Sequence, residues 1–197
     1  MSLPNEHLIE RINMRNLGVL ILATVICTGQ PLDFKLAELH KVNESVQVAE
    51  EPQVFEYDIP MDKDLQEYTY NLCVEYRIPY ELVIAVIKCE SAFDPECIGN
   101  GDYGIMQINW YFHKKTFYES GYDDVFNPYQ NIAYGIDYLA GFYHDYNSDE
   151  HAALMCYNMG EKRYRELAAE GITSSAYSRN VMAYKDELIK YRYENLK

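Results

Sequence analysis

Apolar positions change their spacing along this chain, and each change marks a different element. Leu17 to Cys27 is an apolar run, with Arg11 and Arg15 before it and Thr28 and Gly29 after it. It is shorter than the ~20 residues that span a bilayer. Basic residues ahead and small residues behind predict a secretory signal peptide or N-terminal anchor over residues 1–29. A short buried helix is the alternative, because short apolar runs discriminate poorly. Residues 30–61 lose the period. Asp33–Val42 allows one short helix, and the stretch after it is Glu-rich with Pro52 and Pro60, so 30–61 reads as a linker.

From 62 to 197 the chain reads as one mainly α domain. Asp62 can cap a helix whose apolar face is Leu65, Tyr68, Leu72, Cys73 and Tyr76. Pro79 opens a second helix from Tyr80 to about Ser91. Its stretch Leu82–Ile87 is apolar on every side, which predicts burial. Asn127 and Pro128 start a third helix, carrying Ile132, Ile136, Leu139 and Tyr143. Asp149 can cap another over Ala152–Tyr157, with Gly160 and Gly171 placed as stops. A last helix runs from about Ser174 towards Tyr193. Only Cys97–Tyr118 resists a helical reading, which predicts a small irregular or β segment there.

Charge narrows the function. The 197 residues carry 31 acidic and 17 basic side chains, a net charge of −14, and the pI is near 4.7. Residues 1–60 hold nine acidic and four basic side chains; residues 61–197 hold 22 and 13. Neither part offers the clustered Lys and Arg that nucleic acid requires. Five cysteines stand at 27, 73, 89, 97 and 156. Loss of a signal peptide would leave four, which can pair as two disulfides in three alternative ways, or stay as four free thiols in a reducing compartment.

Glu90 closes the most apolar helix. A carboxyl against an apolar wall loses hydration, so its pKa rises and it can donate a proton near neutral pH. By itself that is weak, since a Glu at a helix end is more often a solvated surface residue. The residues that follow add weight. Glu90-Ser91-Ala92-Phe93-Asp94-Pro95 leads to Gly101-Asp102-Tyr103-Gly104-Ile105-Met106-Gln107-Ile108-Asn109. Two glycines allow tight turns close to a ligand, and Gln107 offers a donor and an acceptor to sugar groups.

These blocks resemble the soluble lytic transglycosylase (SLT) domain of the lysozyme-like superfamily. The likeness continues through Phe126-Asn127-Pro128, Asn131-Ile132 and Gly135. It then passes through Ala153 to Gly160, and ends with Tyr177, Val181 and Tyr184. The resemblance implies a lysozyme-like helical fold and a glycan-cleaving enzyme of peptidoglycan. It makes Glu90 the catalytic acid and base, and Ser91 its hydrogen-bonding neighbour. Gly104, Met106 and Gln107 would line the groove, with Tyr157 and Asn158 facing Glu90 across it. In the implied reaction Glu90 protonates the oxygen between N-acetylmuramic acid and N-acetylglucosamine. The substrate's N-acetyl group then stabilises the anomeric carbon. Glu90 takes a proton from the C6 hydroxyl, closing a 1,6-anhydro ring. No cofactor and no metal are expected. Glycan strands are the expected partner, with envelope or secretion-machinery proteins as further candidates, at an exported location.

Two positions depart from the family's pattern: Gly99 where serine is frequent, and Asp102 where alanine is common. Asp102 supports a second reading. Asp102 to Asn109 also resembles the strand segment of animal-type lysozymes, whose aspartate is the second catalytic carboxylate. A muramidase would hydrolyse the same bond with Glu90 and Asp102. A plain turn role for Asp102 beside Gly101 is equally consistent. A catalytically silent peptidoglycan-binding or assembly module is the third reading.

Other motifs break down. Asp145-x-Asn147-x-Asp149 opens like a calcium loop, but Glu150 holds its glycine position and Cys156 its closing glutamate position. His144 and His151 lack the i, i+4 spacing of a helical zinc site. Among the twenty tyrosines, Tyr134, Tyr138, Tyr157, Tyr164 and Tyr184 have the helical spacing of core residues. Tyr103, Tyr111 and Tyr118 lie in or near the irregular stretch and are the candidates for stacking on sugar.

Overall fold

The computed structural model describes residues 56–195. The run 17–27, the expected signal or anchor and most of the expected linker lie outside them. Helix α1 (Lys63–Tyr76) starts where expected, with the Asp62 side chain accepting from the Leu65 N–H. Helix α2 (Tyr80–Ser91) follows Pro79. Leu82 through Ile87 are all fully buried, so α2 is the central post of the domain. Each Leu, Val and Ile among them contributes roughly 1.5–3 kcal/mol relative to exposure.

The other helices wrap this post. Helix α4 (Pro128–Asp145) is capped by Asn127 and packs its buried Ile132, Ile136 and Leu139 towards α1 and α5 (Glu150–Met159). Asp149 caps α5 by accepting from the Ala152 N–H. Helix α6 (Glu161–Ala169) follows from Gly160, and α7 (Ala176–Asn195) runs back along α2 and α5. The result is the mainly helical architecture that the pattern predicted.

Between α2 and α4 the chain forms a two-stranded antiparallel hairpin, β1 (Asp102–Tyr103) with β2 (Ile108–Asn109). Asp102 pairs with Asn109 and Tyr103 with Ile108. The stretch expected to be irregular up to Tyr118 is shorter than that. Helix α3 (Trp110–Glu119) begins directly after β2, capped by Asn109. Its residues show no apolar period because Phe117 is their single buried member.

One further expectation needs correction. The folded body begins before Asp62. Tyr57 and Met61 are in the core, and the buried Gln66 amide donates to both their carbonyls while accepting from the Tyr57 N–H. The Tyr57 hydroxyl reaches across to Glu81, which also accepts from Arg192 on α7. No disulfide forms among the described residues. Cys73 and Cys156 are buried, Cys97 is half-buried and Cys89 exposed, all as free thiols. None of the described helices is long and apolar enough to cross a membrane.

Candidate active site

The chain turns sharply just after Glu90. Ala92 and Phe93 both take left-handed backbone angles (φ 53° and 72°), unusual for residues with a side chain. The turn ends α2 and sends the chain towards the hairpin. Glu90 is left half-buried at the helix end, facing a cleft of about 500 Å³. Asp102, Gln107, Asn109, Phe112, His113, Tyr138, Tyr157 and Asn158 also line this cleft. Helices α2, α3, α4 and α5 and the hairpin therefore each contribute a wall.

Lost hydration is the largest influence on the Glu90 carboxyl and pushes its pKa from 4.5 up to about 7. The negative field of Asp102 adds to the rise. One contact opposes it: the Tyr177 hydroxyl on α7 donates to Glu90 Oε1 at 2.5 Å, which favours the ionised form. Burial beside Glu90 raises the Tyr177 pKa far above the usual phenol value, so Tyr177 stays a donor. With Oε1 occupied, Oε2 is the oxygen free to carry the acid proton.

The hairpin is pinned from beneath. Asn131 on α4 is fully buried; its amide donates to the Tyr103 and Val125 carbonyls and accepts from the Met106 N–H. Gly104 has φ +77°, and a Cβ there would come within 2.3 Å of Asn131 Nδ2 and 2.5 Å of the Val125 carbonyl. Only glycine fits. Tyr157 donates to the Met106 carbonyl at 2.8 Å, tying α5 to the same turn. Ser91 is buried and donates to the Ile105 carbonyl at 2.8 Å, and its hydroxyl also lies 3.2 Å from the Ile87 carbonyl.

The expected groove residues thus divide. Gln107, Tyr157 and Asn158 line the cleft with Glu90 and Asp102. Ser91, Gly104 and Met106 do not; they hold the turn that shapes it. The Met106 side chain is fully buried, and the absence of a Cβ at Gly135 makes room for its sulfur. Gln107 offers less than a free amide, since its Nε2 donates to the Cys97 and Gly104 carbonyls. Its Oε1 remains. That atom also accounts for Gly99: a Cβ at 99 would lie 2.5 Å from Gln107 Oε1.

The stacking tyrosines are also reassigned. Tyr103 is held edge-on between Trp110 and Phe126, Tyr118 lies edge-on to Trp110, and Tyr111 projects outward, 87% exposed. The aromatic walls of the cleft are Phe112, Tyr138 and Tyr157. Phe112 and His113 were hidden in the unread helix α3. Tyr177 lies 87 residues from Glu90, so spacing carried no sign of their contact. Among the described residues, no three His, Cys, Asp or Glu side chains gather as a metal-binding group.

A helical domain with a half-buried glutamate over a hairpin cleft has a lysozyme-like layout. Residues 69–177 match the transglycosylase SLT domain family, and the chain belongs to it. Protein IpgF of Shigella flexneri is 34% identical over 109 residues, covering 49% of this chain and 70% of that protein. Two solved structures are similar. An inactive mutant of the lytic transglycosylase Slt from Pseudomonas aeruginosa has TM-score 0.55 at 21% identity over 69% of this chain, a likeness of fold. The 70 kDa soluble lytic transglycosylase of Escherichia coli has TM-score 0.54 at 26% identity over 64% of this chain. The match covers 25% and 24% of those two proteins, about a quarter of their length.

Proposed function

We propose that this domain is a peptidoglycan lytic transglycosylase, with Glu90 as acid and then base. The state of Glu90 carries the reading: a carboxyl with pKa about 7, on a cleft wall, with one oxygen held by Tyr177. One group must serve both proton transfers, so a pKa near the working pH suits it. In the first step Oε2 gives its proton to the glycosidic oxygen between N-acetylmuramic acid and N-acetylglucosamine. The Tyr177 hydrogen bond then stabilises the carboxylate formed. In the second step that carboxylate takes the C6 hydroxyl proton, and the C6 oxygen closes onto the anomeric carbon. Such a substrate goes with an exported location, at the envelope or outside it.

Hydrolysis of the same bond is the second reading, favoured by Asp102. That side chain faces the same cleft, and its Oδ1 is fixed by the Asn109 amide at 2.7 Å. Glu90→Gln tests the enzyme reading against a silent binding module. Lysis of purified cell-wall sacculi should fall at least about a thousandfold, the scale of removing the group that carries both proton transfers. Lysis at the wild-type rate would remove Glu90 from the mechanism, and no lysis by the unmodified protein would leave only binding.

A further inference from the structure

His113 on α3 lines the cleft, half-buried, with its ring edge-on to Tyr138 at 4.6 Å between centroids. Three hydrogen bonds surround it, and the direction of the Thr116 bond decides the other two. The Thr116 hydroxyl lies 3.0 Å from the His113 carbonyl, which can only accept, so Thr116 spends its one proton there. Thr116 Oγ1 is also 2.6 Å from the Tyr134 hydroxyl, so Tyr134 must donate to it. Tyr134 has then spent its proton as well. The remaining contact, His113 Nδ1 to the Tyr134 oxygen at 2.9 Å, must be donated by Nδ1–H.

A neutral imidazole with its proton on Nδ1 carries a bare lone pair on Nε2, at the far side of the ring. Burial lowers the His113 pKa, which favours that neutral form, although the Asp102 field opposes it. Nε2 has no hydrogen-bond partner among the described residues, because Nδ1 makes the one bond of this ring. Acceptors elsewhere on the cleft follow the same sense. Gln107 has both its amide donors' work done by Cys97 and Gly104, leaving Oε1, and Asp102 adds its carboxyl oxygens.

We propose that His113 is a specificity-determining residue whose Nε2 accepts a hydrogen bond from a hydroxyl or acetamido N–H of the sugar in the cleft. The relay Tyr134–Thr116 sets the tautomer that makes it an acceptor. The proposal rests on the part of that reading in which the cleft holds a glycan strand; cleavage has its own test, digestion of sacculi by the unmodified protein.

Binding separates the two. Uncross-linked glycan-strand fragments are titrated calorimetrically into protein carrying Glu90→Gln, which holds the strand without cutting it. Adding His113→Asn keeps a donor for Tyr134 but leaves nothing at the Nε2 position, and affinity should fall about five- to tenfold, the range of one neutral hydrogen bond. Adding His113→Gln instead returns an acceptor near that position and should recover most of the loss. Melting temperatures identify any variant that has failed to fold; for one that has, the other variant decides. Equal affinity with Asn at 113, or a Gln variant as weak as the Asn variant, overturns the proposal. Absence of measurable glycan binding overturns it too. Tight binding without cleavage by the unmodified protein would overturn the transglycosylase reading and leave the role of His113 standing.

Discussion

The Tyr177 hydroxyl donates to Glu90 Oε1 at 2.5 Å, joining the last helix to the end of the central one. This bond is the single resolved influence that lowers the Glu90 pKa against burial and the Asp102 field. Tyr177→Phe removes it. The Glu90 pKa then rises above about 7, so the alkaline limb of the pH–rate profile should move to higher pH. The rate at neutral pH should fall about tenfold, because the base needed for ring closure forms less readily. A profile of kcat against pH for both proteins checks this; an unmoved limb would remove Tyr177 from the account.

Glu90 also makes stability depend on pH. Its folded pKa, about 7, lies above the ordinary value of 4.5. Between those values the folded chain keeps a proton that the unfolded chain releases. Stability from this group is therefore complete below pH 4.5 and is lost as pH rises through 7. Glu90→Gln has no such loss. Urea melts should find the variant more stable than wild type by about 3 kcal/mol at pH 8, with the gap closing as pH falls from 7 to 4.5.

Asn131 supports the hairpin from below with three buried hydrogen bonds. Asn131→Ala leaves the Met106 N–H and two carbonyls unpaired. A loss of about 3 kcal/mol in chemical denaturation is expected, with a parallel loss of activity as the cleft wall loosens. Gly104→Ala should act similarly, because its Cβ meets the same amide.

Phe112 is 73% exposed and lines the cleft, so little of its surface contributes to the core. Phe112→Ala should leave the melting temperature within about 1 °C while raising KM on long glycan strands several-fold, the effect of removing an aromatic stacking face. Tyr111→Ala, one residue earlier but off the cleft wall, is the control.

Helix boundaries were legible where a local signal exists. Asp62, Asn127 and Asp149 each stand one turn ahead of an apolar period, and each caps its helix with its own side chain. Helix α3 carried no such signal, because its aromatic residues face the cleft and solvent as much as the core. Glu90 and Asp102 could be placed from their flanking motifs. The inward turn of Met106 could not, since it depends on the space beside Gly135, and neither could the Tyr177 contact, which only tertiary packing creates. The core beginning at Tyr57 was masked by a Glu-rich composition, while its anchor was a single buried amide, Gln66.

In the proposed reaction Glu90 completes cleavage by closing a ring on the substrate itself. Digestion of purified sacculi with the full chain, followed by mass analysis of the released muropeptides, tests it most directly. The account predicts muropeptides ending in 1,6-anhydro-N-acetylmuramic acid, lighter by one water than their hydrolysed counterparts. Reducing ends in their place would contradict it and assign to Asp102 the second carboxylate of a muramidase.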